Sequence, residues 1–226
     1  SSVTLSGPDG FEYLWAPDFE TTQSIEFTGT VAGQNIFSLT ITDPVTHCQN
    51  SAYDTITVVG LPEAAIDPSI DGNEICLNDV LTLTATGGES YLWSSGQDEA
   101  EITVTPLVNT TYKVTVYNTF GCSSVDSFSV IVNPLPNVDI TPDDTAVCYG
   151  QSVQLTASGA TSYSWAQNPM TVTPLSDSTY TVIGTDNNGC TNTATATVKV
   201  NAIPQITIIP SPNDTICLNS TLTLTA

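Results

Sequence analysis

Residues 75–136 read ICLNDVLTLTATGGESYLWSSGQDEAEITVTPLVNTTYKVTVYNTFGCSSVDSFSVIVNPLP, and residues 147–204 read VCYGQSVQLTASGATSYSWAQNPMTVTPLSDSTYTVIGTDNNGCTNTATATVKVNAIP. Both stretches present the same landmarks in the same order: a cysteine, an alternating apolar run, Tyr-x-Trp, Thr-Tyr, Gly-Cys and an exit proline. The spacing is kept as well. Cys76 and Cys148 precede Trp93 and Trp165 by 17 residues each, and Val3, Leu81 and Val153 precede Trp15, Trp93 and Trp165 by 12 residues each. An internal repeat of roughly 70 residues is therefore the primary fact about the chain.

Working outward, the repeat register places a cysteine about three residues ahead of Ser1 and makes Cys217, with the run 221–226, the opening of a further copy. The expected division is 1–62, 63–135 and 136–203, with 204–226 as the start of a fourth unit, so the 226 residues read as a window on a longer tandem array. Each unit is small. A core of that size supplies about 3 to 5 kcal/mol, and a covalent staple is the usual supplement.

Six cysteines fit that need. Reading one cysteine before the first strand and one after the Thr-Tyr strand as partners predicts Cys76 with Cys122 and Cys148 with Cys190. Each bridge would close a loop worth about 4 kcal/mol of chain entropy. Cys48 and Cys217 are then the halves of staples whose partners lie before Ser1 and after Ala226. Cysteine used this way implies an oxidising, extracytoplasmic compartment. Zinc would need C-x-x-C pairs or neighbouring histidines, and the chain has neither.

The charge balance is 23 acidic residues against Lys113 and Lys199, a formal net charge of -21. A phosphate backbone needs clustered cations, so nucleic acid is not a partner. An anionic membrane surface is disfavoured for the same reason, and no run of 18 apolar residues is present to insert into a bilayer.

Strand patterns run throughout. Leu81, Leu83 and Ala85 alternate with Thr82 and Thr84, and Tyr112, Val114 and Val116 do the same, which is a strand with one face buried and one in water. Gly87-Gly88, Gly96, the 118–121 segment and Asn187-Asn188-Gly189 supply the turns, the last closing a hairpin. Six or seven short strands per unit, with a Trp on the third and a Tyr near the start of the penultimate one, predict an all-β immunoglobulin-like sandwich. In the first copy Phe37 replaces the Tyr, and one extra residue precedes Cys48. The linkers Leu61-Pro62, Leu135-Pro136 and Ile203-Pro204 are short and proline-stiffened, so the tandem units are expected to form an extended rod.

The order Cys…L-T-A-x-G…Y-x-W…I-T-V-T-P…T-Y-x-V…G-C…V-N-x-x-P resembles the Ig-like and PKD-like repeats of giant secreted surface adhesins of Bacteroidetes, the gliding-motility adhesins and type IX secretion cargo. That resemblance implies a stalk: a structural and adhesive segment of a very large extracellular filament or cell-surface adhesin. Its partners would be neighbouring repeats of the same chain and possible bundled homo-filaments. The alternative, from a different class, is a module whose own surface grips a polysaccharide or a partner protein. The resemblance further implies O-glycosylation at Asp-Ser/Thr-apolar sites, here Thr55, Thr145, Ser178 and Thr215.

Catalysis has little to work with. His47 is the sole histidine, arginine is absent, and Asp143-Asp144 are adjacent instead of facing each other across a cleft, so no enzyme is expected. Acidic residues do gather at the junctions, Asp67, Asp71 and Glu74 at one and Asp139, Asp143 and Asp144 at the next. Calcium, which takes six to eight oxygen ligands, is the candidate cation there, and no other cofactor is expected.

Overall fold

The computed structural model describes residues 2–166, 171–208 and 215–221. It divides into two compact units, Ser1–Val132 and Asn133–Ala226. Strands account for the regular structure, and no helix occurs among the described residues.

In the first unit, β1 (Ser2–Ser6), β2 (Glu12–Ala16), β3 (Ser24–Thr28), β4 (Gly33–Thr42) and β5 (Gln49–Val58) form the pair β1-β3 and the sheet β2-β4-β5. The next seven strands are β6 (Ala65–Pro68), β7 (Glu74–Cys76), β8 (Leu81–Thr86), β9 (Ser90–Trp93), β10 (Glu101–Val104), β11 (Thr110–Tyr117) and β12 (Ser123–Asn133). They make the sheets β10-β8-β6 and β7-β12-β11-β9, the two layers of a sandwich. In the second unit the order recurs as β13 (Asp139–Thr141), β14 (Asp144–Cys148), β15 (Val153–Gln154), β16 (Thr156–Ser158), β17 (Ser162–Trp165), β18 (Thr171–Val172), β19 (Ser178–Thr185) and β20 (Thr191–Asn201). Its four-stranded layer is β14-β20-β19-β17, faced by β13-β16 and β15-β18. The fold is all-β, a tandem of immunoglobulin-type sandwiches.

The alternation seen in sequence is the inside-outside alternation of the sheets. Leu81, Leu83 and Ala85 on β8 meet Tyr112, Val114 and Val116 on β11 in one core, with Trp93, Ile102 and Val130 between them. Ile140, Leu155, Tyr180, Val182, Ala196 and Val198 build the equivalent core of the second unit. The tryptophans hold one register: Trp15 lies opposite Leu39, Trp93 opposite Val114 and Trp165 opposite Val182. Trp15 and Trp93 are buried, whereas Trp165 is half-buried. Phe37 is buried as Tyr112 and Tyr180 are and packs edge-on against Phe27, so the first copy keeps the core position while losing the hydroxyl. The extra residue before Cys48 is absorbed in the β4–β5 turn, where His47 takes a left-handed φ of 57° and donates its backbone N–H to the Asp43 carbonyl.

One glycine position recurs for a steric reason. Gly87 and Gly159 have φ of 98° and 90°, and a Cβ there would overlap the carbonyl oxygens of Glu63 and Asn137 respectively. The strand entering each sandwich passes this close only because no side chain stands in its way.

The pairings expected for the cysteines are not made. Cys122 and Cys148 carry free thiols, as do Cys48 and Cys217, while Cys76 and Cys190 are disulfide-bonded. The topology gives the reason. Strand β14 runs parallel to β20, setting Cys148 opposite Asn201, whereas Cys190 immediately precedes the first residue of β20, Thr191. The two therefore sit at opposite ends of an 11-residue strand. That separates them by about 35 Å, against the ~7 Å limit between Cα atoms of a disulfide. In the first unit β7 lies beside the far end of β12, where Ile131 donates its N–H to Asn73, while Cys122 precedes the near end. Cys76 and Cys122 are consequently separated by about 30 Å of strand.

Candidate functional site

With each cysteine at one pole of a sandwich, the poles are where the repeats carry their distinctive chemistry. At one pole the strand-end cysteine opens a tight turn. The Cys76 carbonyl accepts from Asp79 N–H, that of Cys148 from Gln151 and that of Cys217 from Ser220, at 3.0, 2.9 and 3.1 Å. The residue two past each cysteine, Asn78, Gly150 or Asn219, has positive φ. This is a type II turn with Asn or Gly at the position that demands a left-handed backbone. In the first of these turns the Asp79 carboxylate also accepts from the Cys76 N–H at 3.1 Å.

At the other pole the cysteine ends a hairpin turn whose first residue folds its side chain back onto the backbone. Asn118 Oδ1 accepts from Phe120 N–H and Cys122 N–H, both at 3.0 Å. Asp186 Oδ1 does the same for Asn188 and Cys190 at 2.9 Å. Asp43 Oδ1 accepts from the N–H groups of Thr46 and Val45 at 2.8 Å, and these backbone bonds hold its carboxyl below the usual carboxylate pKa. Each turn cysteine is thus presented on a backbone pinned by an Asx contact.

The turn pole of the second sandwich is also where the entering chain is fastened. Asn118 Nδ2 donates to the Gly60 carbonyl at 3.0 Å, Ser124 Oγ donates to the Pro62 carbonyl and accepts from Ala64 N–H, and Asp126 Oδ2 accepts from Ile66 N–H at 2.9 Å. In the second unit Asn192 Nδ2 donates to the Pro136 carbonyl at 3.0 Å. Ser124 and Asn192 both stand two residues after the turn cysteine, as Asn50 does after Cys48. Sequence reading passed over this clamp. Its signal was a small polar residue at a fixed step from each Gly-Cys, visible only once the cysteines are used as landmarks.

Around Cys122 the first unit has an open cavity of about 600 Å³ lined by Val3, Phe27, Gly29, the 56–61 segment, Phe120 and Cys122. Its walls are the end of β1, the end of β5 and the β11–β12 turn. Nothing in it supplies a nucleophile paired with a base. His47 is exposed on its own turn.

The acidic junction residues are not gathered into one place. Asp67 and Asp139 are exposed on β6 and β13, Asp71 lies in the bend before β7, and Glu74, Asp143 and Asp144 are exposed. Asp143 spends one carboxylate oxygen on the Asp144 N–H at 2.8 Å. Among the described residues no three His, Cys, Asp or Glu side chains converge as metal ligands, so the calcium set read from the sequence is not assembled there. Of the four hydroxyls in Asp-Ser/Thr-apolar sequences, Thr55 is exposed on β5 and Thr215 is exposed outside any strand, while Thr145 and Ser178 are half-buried on β14 and β19. Asp214, the acidic member of the last motif, lies outside the described residues.

No family model matches the chain, and no curated protein matches it. Solved structures that resemble it include the fibronectin(III)-like modules of Clostridium thermocellum CbhA, 12% identical, covering 62% of this chain and 94% of theirs at a TM-score of 0.31. The insect immune protein hemolin is 12% identical over 88% of this chain and 71% of its own, also at 0.31. A Ca²⁺-stabilized adhesin with which an Antarctic bacterium binds ice is 13% identical over 90% of this chain and 69% of its own, at 0.35. Similarity at this level carries no conclusion about what the present chain binds.

Proposed function

We propose that this chain is a structural and adhesive segment of a very large extracellular filament or cell-surface adhesin, a stiff spacer divided at 1–62, 63–135 and 136–203 with a further repeat opening at 204–226. The observation that carries the reading is the lacing of residues 60–66 onto the second sandwich by Asn118, Ser124 and Asp126. A linker that spends its backbone groups on the following domain has little freedom left to bend, which is what a spacer requires and a hinged binding module does not. The features shared by the copies are core residues and pole turns, the parts that matter for stacking. The net charge of -21 supports the same role through mutual repulsion of neighbouring chains. The sequence resemblance to Bacteroidetes gliding-motility and type IX secretion adhesins supports a surface location and that lineage, and with it O-glycosylation at the exposed Thr55 and Thr215. No cation is assigned to the acidic residues, because their carboxylates do not converge.

The test is solution scattering on the 226-residue chain and on a variant carrying Asn118→Ala, Ser124→Ala and Asp126→Ala. The native chain should give a rod-like cross-section profile and the variant a shorter mean length. A native chain that scatters as a folded-back globule would overturn the spacer reading.

A further inference from the structure

In the second unit, the outer face of the sheet β14-β20-β19-β17 is the surface that the carboxylates avoid. On that face the register sets Thr179 opposite Thr197, Thr181 opposite Thr195 and Thr185 opposite Thr191, while the alternate residues of β19 and β20 turn into the core. None of these six hydroxyls has a hydrogen-bond partner among the described residues. They form a grid with strands about 4.8 Å apart and steps of about 6.6 Å along each strand, its donors and acceptors unspent. Of the described carboxylates of this unit, Asp139 belongs to the opposing layer, Asp143, Asp177 and Asp186 lie in the segments between strands, and Asp144 alone stands on the face. Lys199, the one cationic side chain of the unit, stands there too. On the parallel pair β14-β20, Asp144 lies opposite Thr197 and Ala146 opposite Lys199, which separates the two charges by about 8 Å. Both are exposed, neither forms an ion pair among the described residues, and together with Thr145, Ala146 and Thr197 they line a shallow groove of about 390 Å³.

We infer that this face is a lateral contact for a second copy of the chain, the two sheets meeting face to face about a two-fold axis. A two-fold contact must be complementary to itself, so that whatever one residue meets, its own counterpart is met in return. The unpaired Lys199 and Asp144 satisfy that condition. An axis running obliquely across the strands, midway between them, seats Lys199 of each copy in the groove of the other, over Asp144 of the second copy. The threonine rows then lie against each other, and each hydroxyl can both donate and accept across the contact. The charge of the molecule selects this face over others. With a net charge of -21, two copies repel wherever their carboxylates approach, and this face brings only one carboxylate per copy, which meets a lysine. Four strands about 4.8 Å apart and about eight residues long cover at most about 500 Å² on each copy, or about 1,000 Å² in all. That is the lower limit for a specific contact, so the association is weak and reversible, with a dissociation constant on the order of 10⁻⁴ M. Repeated along two chains lying side by side, such a contact gains strength from its number.

The contact is a property of one unit and does not rest on the spacer reading. A chain whose dilute scattering refuted the rod would leave it untouched. The experiment is sedimentation equilibrium of the 226-residue chain at an ionic strength of about 0.15 M, where charges beyond ~8 Å are screened, with concentrations spanning tenfold either side of the expected constant. The native chain should show a monomer-dimer equilibrium that reverses on dilution. Lys199→Glu and Asp144→Lys, each measured alone, lose two opposite pairs and gain two like ones, so each should weaken the dimer at least about tenfold. Mixed in equal amounts, the two variants should associate again, because each then offers the charge the other lacks. Asp67→Lys, the same charge change on an exposed residue of β6, mixed with Lys199→Glu is the control and should restore nothing. Far-ultraviolet circular dichroism confirms that each variant keeps its strands. A native chain that stays monomeric over the whole range overturns the inference, as does unchanged association in the single variants or equal restoration by the Asp67→Lys control. Dimers that persist on dilution and vanish with reductant overturn it as well, since they are disulfides of the exposed Cys148.

Discussion

Replacing Gly87 by alanine tests how tightly the entering strand is held against the second sandwich, and Gly96→Ala supplies its control. Both residues have left-handed backbones, with φ of 98° and 90°. A Cβ at Gly96 meets nothing within 4 Å, so that substitution costs only the left-handed strain, about 1 kcal/mol. At Gly87 the same strain is joined by overlap with the Glu63 carbonyl, which can be relieved only by moving residues 62–64 away from β12. That movement breaks the Ala64–Ser124 and Ser124–Pro62 hydrogen bonds, each worth about 1 kcal/mol, for a total near ~3 kcal/mol. Native-state hydrogen exchange followed on the β8 peptide reads the difference directly. Gly96→Ala should speed exchange about fivefold and Gly87→Ala about 150-fold, at a factor of ten per ~1.4 kcal/mol. Equal acceleration in the two variants would refute the argument, because it would mean that the linker carbonyl is not held where the glycine needs it to be.

Two further outcomes follow from the same geometry. Trp93 Nε1 donates to the Glu99 carbonyl at 2.9 Å, as Trp15 Nε1 does to Thr22, so Trp93→Phe should lower stability by about 1 to 3 kcal/mol through the orphaned carbonyl, measured as a shift in urea midpoint at constant slope. The Asp43 carboxyl is depressed below 3.8 by accepting from the Thr46 and Val45 N–H groups, so its contribution to the β4–β5 turn is present above the ordinary carboxylate value and is lost as pH falls through the depressed one. A titration followed on those two amide resonances should show a midpoint below 3.8, and a midpoint at or above it would contradict the turn.

The strands, the core and the turns were legible in the sequence because each rests on neighbours a few residues apart. The alternation of Leu81, Leu83 and Ala85 needs only the pleat to send its apolar members inward, and the Gly96 and Gly189 turns need only a residue tolerant of positive φ. Even the insertion before Cys48 was visible as a count, and it is absorbed within its own hairpin. The linker clamp was half legible: Ser124 and Asn192 are evident in the register, but that their side chains reach the Pro62 and Pro136 carbonyls follows from where the entering chain runs. What the tertiary structure alone decided was the sense of one short strand. Because β14 lies parallel to β20, Cys148 is carried to the pole opposite Cys190, and two residues that spacing makes natural partners are held a strand's length apart. Parallel or antiparallel pairing is a property of the whole sheet, set by which strands close the core, and no local pattern around a cysteine records it.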